Sequence, residues 1–154
     1  MKHVITGTED YYVDSKNLKQ GKYKSYYRNG KIKEERCYKD GKLEGECTGY
    51  FLNGNPAVKC NFRNGGINKE CKWYYGNGKL NIECCHKNNK LDGEYRSYYR
   101  NGNPLVKCHY KNGKWEGEYK KYYENGKLEE ERFYKDGKEI KDPLEKFILI
   151  GEEK

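Results

Sequence analysis

Five Asn-Gly pairs stand at 29–30, 53–54, 77–78, 101–102 and 125–126, each 24 residues after the last. A second turn signal recurs between them at the same interval: Asp40-Gly41, Asn64-Gly65, Asn88-Asn89, Asn112-Gly113 and Asp136-Gly137. Asn, Asp and Gly tolerate the positive φ of tight hairpins, so these pairs between alternating segments predict β-hairpin turns. A fixed period of this length predicts a quasi-one-dimensional array, in which each unit packs only on its neighbours. Cut after the second turn, the chain yields five units in register: 18–41, 42–65, 66–89, 90–113 and 114–137. They cover 120 of the 154 residues. The stretch SYYRNG, identical at 25–30 and 97–102, is one part of that unit seen three periods apart.

With positions numbered 1 to 24 in each unit, strand one runs from about 2 to 10 and strand two from about 15 to 22. Alternation separates their faces. Even positions of strand one carry Leu, Ile or Trp (2, with Lys19 in the first unit), usually Gly (4), Tyr or Cys (6) and Tyr or Phe (10). Odd positions of strand two carry Ile, Leu or Pro (15), Val, Ile or Glu (17), Cys or Arg (19) and Tyr, Phe or His (21). The remaining positions are mostly Glu and Lys. One face is therefore apolar and aromatic, and the other is charged. Tyr26, Tyr50, Tyr74, Tyr98 and Tyr122, at position 9, break the rule by placing rings on the charged face.

Two checks bear on register. Symmetry about each Asn-Gly sets Lys24 opposite Glu35, Lys72 opposite Glu83 and Lys120 opposite Glu131, pairs worth about 0.2–1 kcal/mol each. The fourth unit departs, because there Arg96 faces Lys107. Two-residue turns at both ends of a strand require an even residue count, since the hydrogen-bonding side alternates. The intervening strands would have eleven and nine residues. One turn in each unit must then be longer, or bulged.

Composition agrees with a thin, extended structure. Charged residues make up 36% and the mean hydropathy is −1.32, which alone would suggest disorder. Seventeen Tyr and two Trp argue for folding, while four Phe and one Met leave little for a globular core. The expected fold is all-β: an elongated single-layer antiparallel sheet of about five stacked hairpins, with capping segments at 1–17 and 138–154. Tyr11-Tyr12-Val13 could supply a capping strand. After Pro143, Leu144, Phe147, Ile148 and Ile150 could cover the far edge as a short helix or a strand.

The net charge of +8 is spread along the chain and interleaved with Glu, without a polybasic run. No apolar h-region follows the N-terminus and no apolar run approaches 18 residues, so a cytoplasmic protein is expected.

Seven cysteines map onto the repeat. Cys60, Cys84 and Cys108 share position 19, Cys47 and Cys71 share position 6, and Cys37 and Cys85 share position 20. Their spacing, with His3, His86 and His109, fits no zinc site, so no metal or other cofactor is expected. Symmetry about Asn-Gly sets Cys47 opposite Cys60 and Cys71 opposite Cys84, and opposed residues can bridge. The preferred reading is reduced core thiols. It is supported by the company they keep: Val58, Ile82 and Val106 stand two residues before Cys60, Cys84 and Cys108. The end units have Glu34 with Arg36 and Glu130 with Arg132 at the same places, as expected of polar terminal repeats.

The run GEYKKYYENGKLEEERFYKDG of the fifth unit resembles the bacterial MORN variant repeat, found in chains described as YwqK-type antitoxins. The resemblance extends over all five units. It implies a non-enzymatic scaffold of stacked hairpins that binds protein or membrane partners. This chain departs from the pattern at its middle-unit cysteines and at Lys69, where Gly is usual.

No nucleophile elbow, phosphate loop or metalloprotease motif appears, so neither catalysis nor a small-molecule substrate is expected. The expected function is binding of a protein partner, such as a toxin, in an antitoxin or immunity role. The expected binding surface is the position-10 ladder Tyr27, Phe51, Tyr75, Tyr99 and Tyr123, with Arg36 and Arg132 at its ends. The alternatives are binding to an anionic membrane surface and, behind it, to single-stranded nucleic acid.

Overall fold

The computed structural model describes residues 1–142 together with Leu144 and Phe147. Among the described residues, fourteen strands form one antiparallel sheet in which neighbours in space are neighbours in sequence. An N-terminal hairpin, β1 (Lys2–Ile5) and β2 (Glu9–Val13), leads into the first unit, β3 (Lys19–Tyr26) and β4 (Ile32–Lys39). The second unit is β5 (Lys42–Leu43), β6 (Gly45–Tyr50) and β7 (Pro56–Arg63). The third is β8 (Gly66–Tyr74) and β9 (Leu80–Lys87), and the fourth is β10 (Lys90–Tyr98) and β11 (Pro104–Lys111). The fifth is β12 (Lys114–Tyr122) and β13 (Leu128–Lys135), with a short β14 (Lys138–Glu139) beyond.

The two turns of each unit differ. At the second, both central residues have positive φ, as in Asp40 (51°) with Gly41 (75°) and Asn112 (52°) with Gly113 (84°). These are two-residue primed turns, whose twist matches that of the strands. At the first, the Gly alone has positive φ. Tyr27 N–H donates to Lys31 O at 2.8 Å and Gly30 N–H donates to Tyr27 O at 2.9 Å, so three residues form the loop. Its Asn accepts a hydrogen bond from the backbone N–H two residues on, in all five units, as in Lys31 N–H to Asn29 Oδ1 at 3.1 Å. The longer turn that the strand lengths demand is therefore the Asn-Gly turn.

Two irregularities complete the unit. Register shifts by one residue beside every Asn-Gly turn, so that position 9 pairs with position 15: Tyr26 with Ile32, Tyr74 with Leu80, Tyr98 with Pro104. Cross-strand partners share a face. Position 15 thus leaves the apolar face, where alternation places it, and joins the position-9 tyrosines on the charged one. The aromatic exception at position 9 is half of a small apolar row. The second irregularity is a bulge at position 4, where Gly21, Gly45, Gly93 and Gly117 have positive φ and Lys69 (φ 75°) must adopt the same left-handed backbone. A side chain there costs about 1–2 kcal/mol, partly offset in the unfolded state. Lys69→Gly should raise stability by about 1 kcal/mol in urea denaturation.

Units are tied by side chains as well as by strand pairing. The hydroxyls of Tyr27, Tyr75 and Tyr99 donate to the backbone oxygens of Tyr50, Tyr98 and Tyr122 in the next unit, at 2.6, 2.7 and 2.9 Å. Phe51 occupies the same position without a hydroxyl. Phe51→Tyr should stabilise the protein, and Tyr75→Phe should destabilise it, by about 1 kcal/mol each. Opposite shifts in urea midpoint would show this.

At the ends, the N-terminal cap is a full hairpin, not a single strand, with Val13 buried and β2 paired to β3. The expected cap at 138–154 begins with β14. Its part on Pro143, Ile148 and Ile150 lies outside the described residues, and Leu144 and Phe147 are exposed.

Candidate partner-binding face

Pairing aligns positions 6 and 19 of successive units into one row across the sheet: Cys47, Cys60, Cys71, Cys84, Tyr95, Cys108, Tyr119 and Arg132. A second row from positions 8 and 17 runs Gly49, Val58, Trp73, Ile82, Ser97 and Val106. A third, from positions 2 and 21, includes Phe62 with Ile67, His86 with Leu91, and Tyr110 with Trp115. Cys60, Cys71 and Cys84 form the buried centre, with Val58, Phe62, Ile67, Trp73, Leu91 and Tyr95 packed around them. Only Cys71 is fully buried; the surrounding apolar side chains remain partly open. A single sheet has no second layer to cover them.

Two shallow grooves lie on this face. One, of about 210 Å³, is lined by Leu43, Cys47, Val58, Cys60 and Phe62 together with Glu34, Glu35 and Arg36. The other, of about 290 Å³, is lined by Trp73, Ile82, Cys84, His86, Leu91 and Tyr95. Cys84 Sγ is 3.8 Å from His86 Nδ1. Burial pushes the Cys84 thiol up to about 11 and Cys108 to about 12, and it holds His86 below the usual imidazole range. These groups are neutral at physiological pH. The centre of the face is therefore uncharged.

Most of the expected site residues also make contacts within the sheet. Tyr27, Tyr75 and Tyr99 staple adjacent units, and Tyr123 of the last unit is half exposed. Arg36 is held by Glu34 and Arg132 by Glu130 and Glu139. The ladder expected to bind a partner is thus largely a seam within the sheet. The open surface lies beside it, on the rows centred on Cys71.

The cysteines depart from the expected reduced thiols, and from the alternative pairings within hairpins as well. Cys60 bridges Cys71, between units two and three, while Cys47 and Cys84 are free thiols. Both expected oppositions, Cys47 with Cys60 and Cys71 with Cys84, are present in register. Hydrogen-bonding class decides between them. The position-10 N–H bonds back across its turn, so counting back in twos makes position 6 hydrogen-bonded to position 19 within a unit. Across the seam between units the same residues meet as a non-hydrogen-bonded pair, where side chains come closer. The Cys60–Cys71 Cα separation is 4.2 Å, as that class requires. Only this seam has cysteine on both sides.

The opposite face is laced with charge pairs. Lys24 meets Glu35 at 2.9 Å and Lys120 meets Glu131 at 3.4 Å, as register predicts. Lys72 turns to Glu70 at 3.0 Å. Arg96, faced by Lys107, reaches Glu83 of the preceding unit at 3.3 Å and Glu94 at 2.6 Å. Tyr50 and Tyr98 donate to Glu35 and Glu83 at 2.7 and 2.8 Å. The bond to Glu35 raises the Tyr50 phenol to about 12, and burial with the bond to Glu83 does the same for Tyr98. Burial, with Glu9 beside it, also raises Tyr23 to about 12. A raised folded-state pKa contributes stability below the unfolded value near 10, lost as pH rises through about 12. Phenolate absorbance should show three of the seventeen tyrosines titrating last, in step with alkaline unfolding.

Among the described residues, no three of His, Cys, Asp and Glu come together to hold a metal, and no helix is long and apolar enough to cross a membrane. No curated protein matches the chain. The MORN repeat variant matches five times, at residues 19–40, 43–64, 67–88, 91–112 and 115–136. The chain belongs to this family of generally non-catalytic scaffold and binding repeats.

Proposed function

We propose that the protein binds another protein across the open apolar face of units two to four, in an antitoxin or immunity role. The observation that carries this reading is the pair of apolar grooves on either side of the Cys60–Cys71 seam, lined by partly open side chains. Exposed contiguous apolar surface is unfavourable in water and marks interaction sites. Trp73 and Tyr95, large and stiff, suit the centre of such an interface. A partner would seat one apolar side chain in each groove.

The charged face supports membrane binding less well. Several of its Lys and Arg side chains already have carboxylate partners. In a cytoplasmic setting the natural partner is the product of an adjacent gene, and the test is co-expression. The protein should relieve growth inhibition by that product and co-purify with it in a fixed ratio. Binding to phosphatidylserine vesicles or oligonucleotides that persists at physiological salt, without a protein complex, would refute the reading.

A further inference from the structure

Four cysteines on four consecutive strands stand side by side on one face, and the middle two are bridged. Cys47 on β6 lies opposite Cys60, and Cys84 on β9 lies opposite Cys71. Each bridged sulfur thus has a free thiol one strand away, on the side facing away from the bridge. Attack on a disulfide sulfur needs a nucleophile opposite the leaving sulfur, and a straight row across a sheet supplies that order.

The geometry points to a thiol–disulfide exchange site in which one bridge can occupy any of three adjacent positions along this row, with Cys60–Cys71 as its resting place. In one direction Cys84, a thiol at rest, loses its proton and its thiolate attacks Cys71 Sγ, so exchange is slow near neutral pH and quickens as pH rises. The Cys71–Cys84 bond forms as Cys60–Cys71 breaks, and the electron pair leaves on Cys60 Sγ. Cys60 then takes up from solvent the proton that Cys84 gave up. In the other direction Cys47 attacks Cys60, the Cys47–Cys60 bond forms, and Cys71 leaves as the thiolate. Neither step changes the number of disulfides, so neither needs an external oxidant.

Both alternative pairs are of the hydrogen-bonded class, with Cα atoms about 5.5 Å apart. That lies within the usual range for a disulfide. The seam pair, with its closer side chains, is the better seat, which explains why the bridge rests there. Exchange has a mechanical consequence. At rest the bridge locks unit two to unit three. After one step it lies inside a single hairpin, and the seam between the two grooves is held by strand pairing alone.

Non-reducing peptide mapping of acid-quenched, alkylated protein tests this, because Cys60, Cys71 and Cys84 fall on separate tryptic peptides. Wild type should carry Cys60–Cys71. Cys71→Ser should redirect the bridge to Cys47–Cys60, and Cys60→Ser should redirect it to Cys71–Cys84. Fragmentation distinguishes Cys84 from Cys85. Wild type equilibrated in a glutathione redox buffer should in addition show both shifted bridges as minor species, which covers a variant that fails to fold. Fully alkylated cysteines in both folded variants, or only Cys60–Cys71 and fully reduced protein at every redox ratio, would overturn the proposal.

Discussion

Cys71→Asp should unfold the middle of the array, at a cost of at least about 4 kcal/mol. Cys71 is the one fully buried side chain among the described residues, at the centre of the cluster with Cys60 and Cys84. Aspartate there removes the bridge to Cys60 and places a carboxylate among Val58, Trp73 and neighbouring thiols. No cation in the described structure stands beside it in the row. Reductant separates the two effects, since reducing wild type removes every bridge without introducing a charge, and should cost about 2–4 kcal/mol. In an array each unit depends on its neighbours. Failure of unit three therefore strips units two and four of one partner each, and the loss should extend past the substituted strand. Far-ultraviolet circular dichroism and urea denaturation read it directly. A Cys71→Asp midpoint close to that of wild type would contradict this view of the core.

The second large effect concerns binding and leaves the fold intact. Ile82→Glu combined with Val106→Glu should weaken partner binding at least about 30-fold, the loss expected for a central interface residue at about 2 kcal/mol. Both sites are partly open, and the chain already carries glutamate at this position in two units. Position 17 is Glu34 in the first unit and Glu130 in the last, each paired with an arginine two residues on. The double variant copies the end-unit glutamates without their arginines, because Cys84 and Cys108 remain at position 19, so the affinity is compared only once the fold has been checked. Calorimetric titration would measure the loss, and unchanged circular dichroism would show that the sheet survives. Equal affinity would move the binding surface elsewhere.

Much of the architecture was legible because a repeat averages out local ambiguity. One Asn-Gly predicts one hairpin, while five at a fixed interval predict a sheet and its register. The odd strand lengths even required a longer turn, and Tyr27 to Lys31 supplies it. Position 15 was misplaced because alternation cannot see the bulge that shifts Ile32 opposite Tyr26. The cysteine pairing was missed for a related reason. Symmetry about a turn finds who stands opposite whom within a hairpin, but side-chain approach depends on hydrogen-bonding class, which the turn type sets. The stapling role of the tyrosine ladder is invisible in sequence, because a hydroxyl aimed at the next unit's carbonyl leaves no trace in spacing. The recurrence of aromatic residues at position 10 is plain in the sequence; the carbonyls they reach lie one unit further along. The sharper signal for an open face was the change at positions 17 and 19, apolar in the middle units and charged at both ends.

Both faces carry aromatic rings, so hydroxyl-radical footprinting of the complex against the free protein tests the central claim most directly. Binding across the apolar face predicts protection of Phe62, Trp73 and Tyr95, with Tyr50, Tyr98 and Tyr122 unchanged. Protection confined to Tyr50, Tyr98 and Tyr122 would place the partner on the charged face and contradict the account.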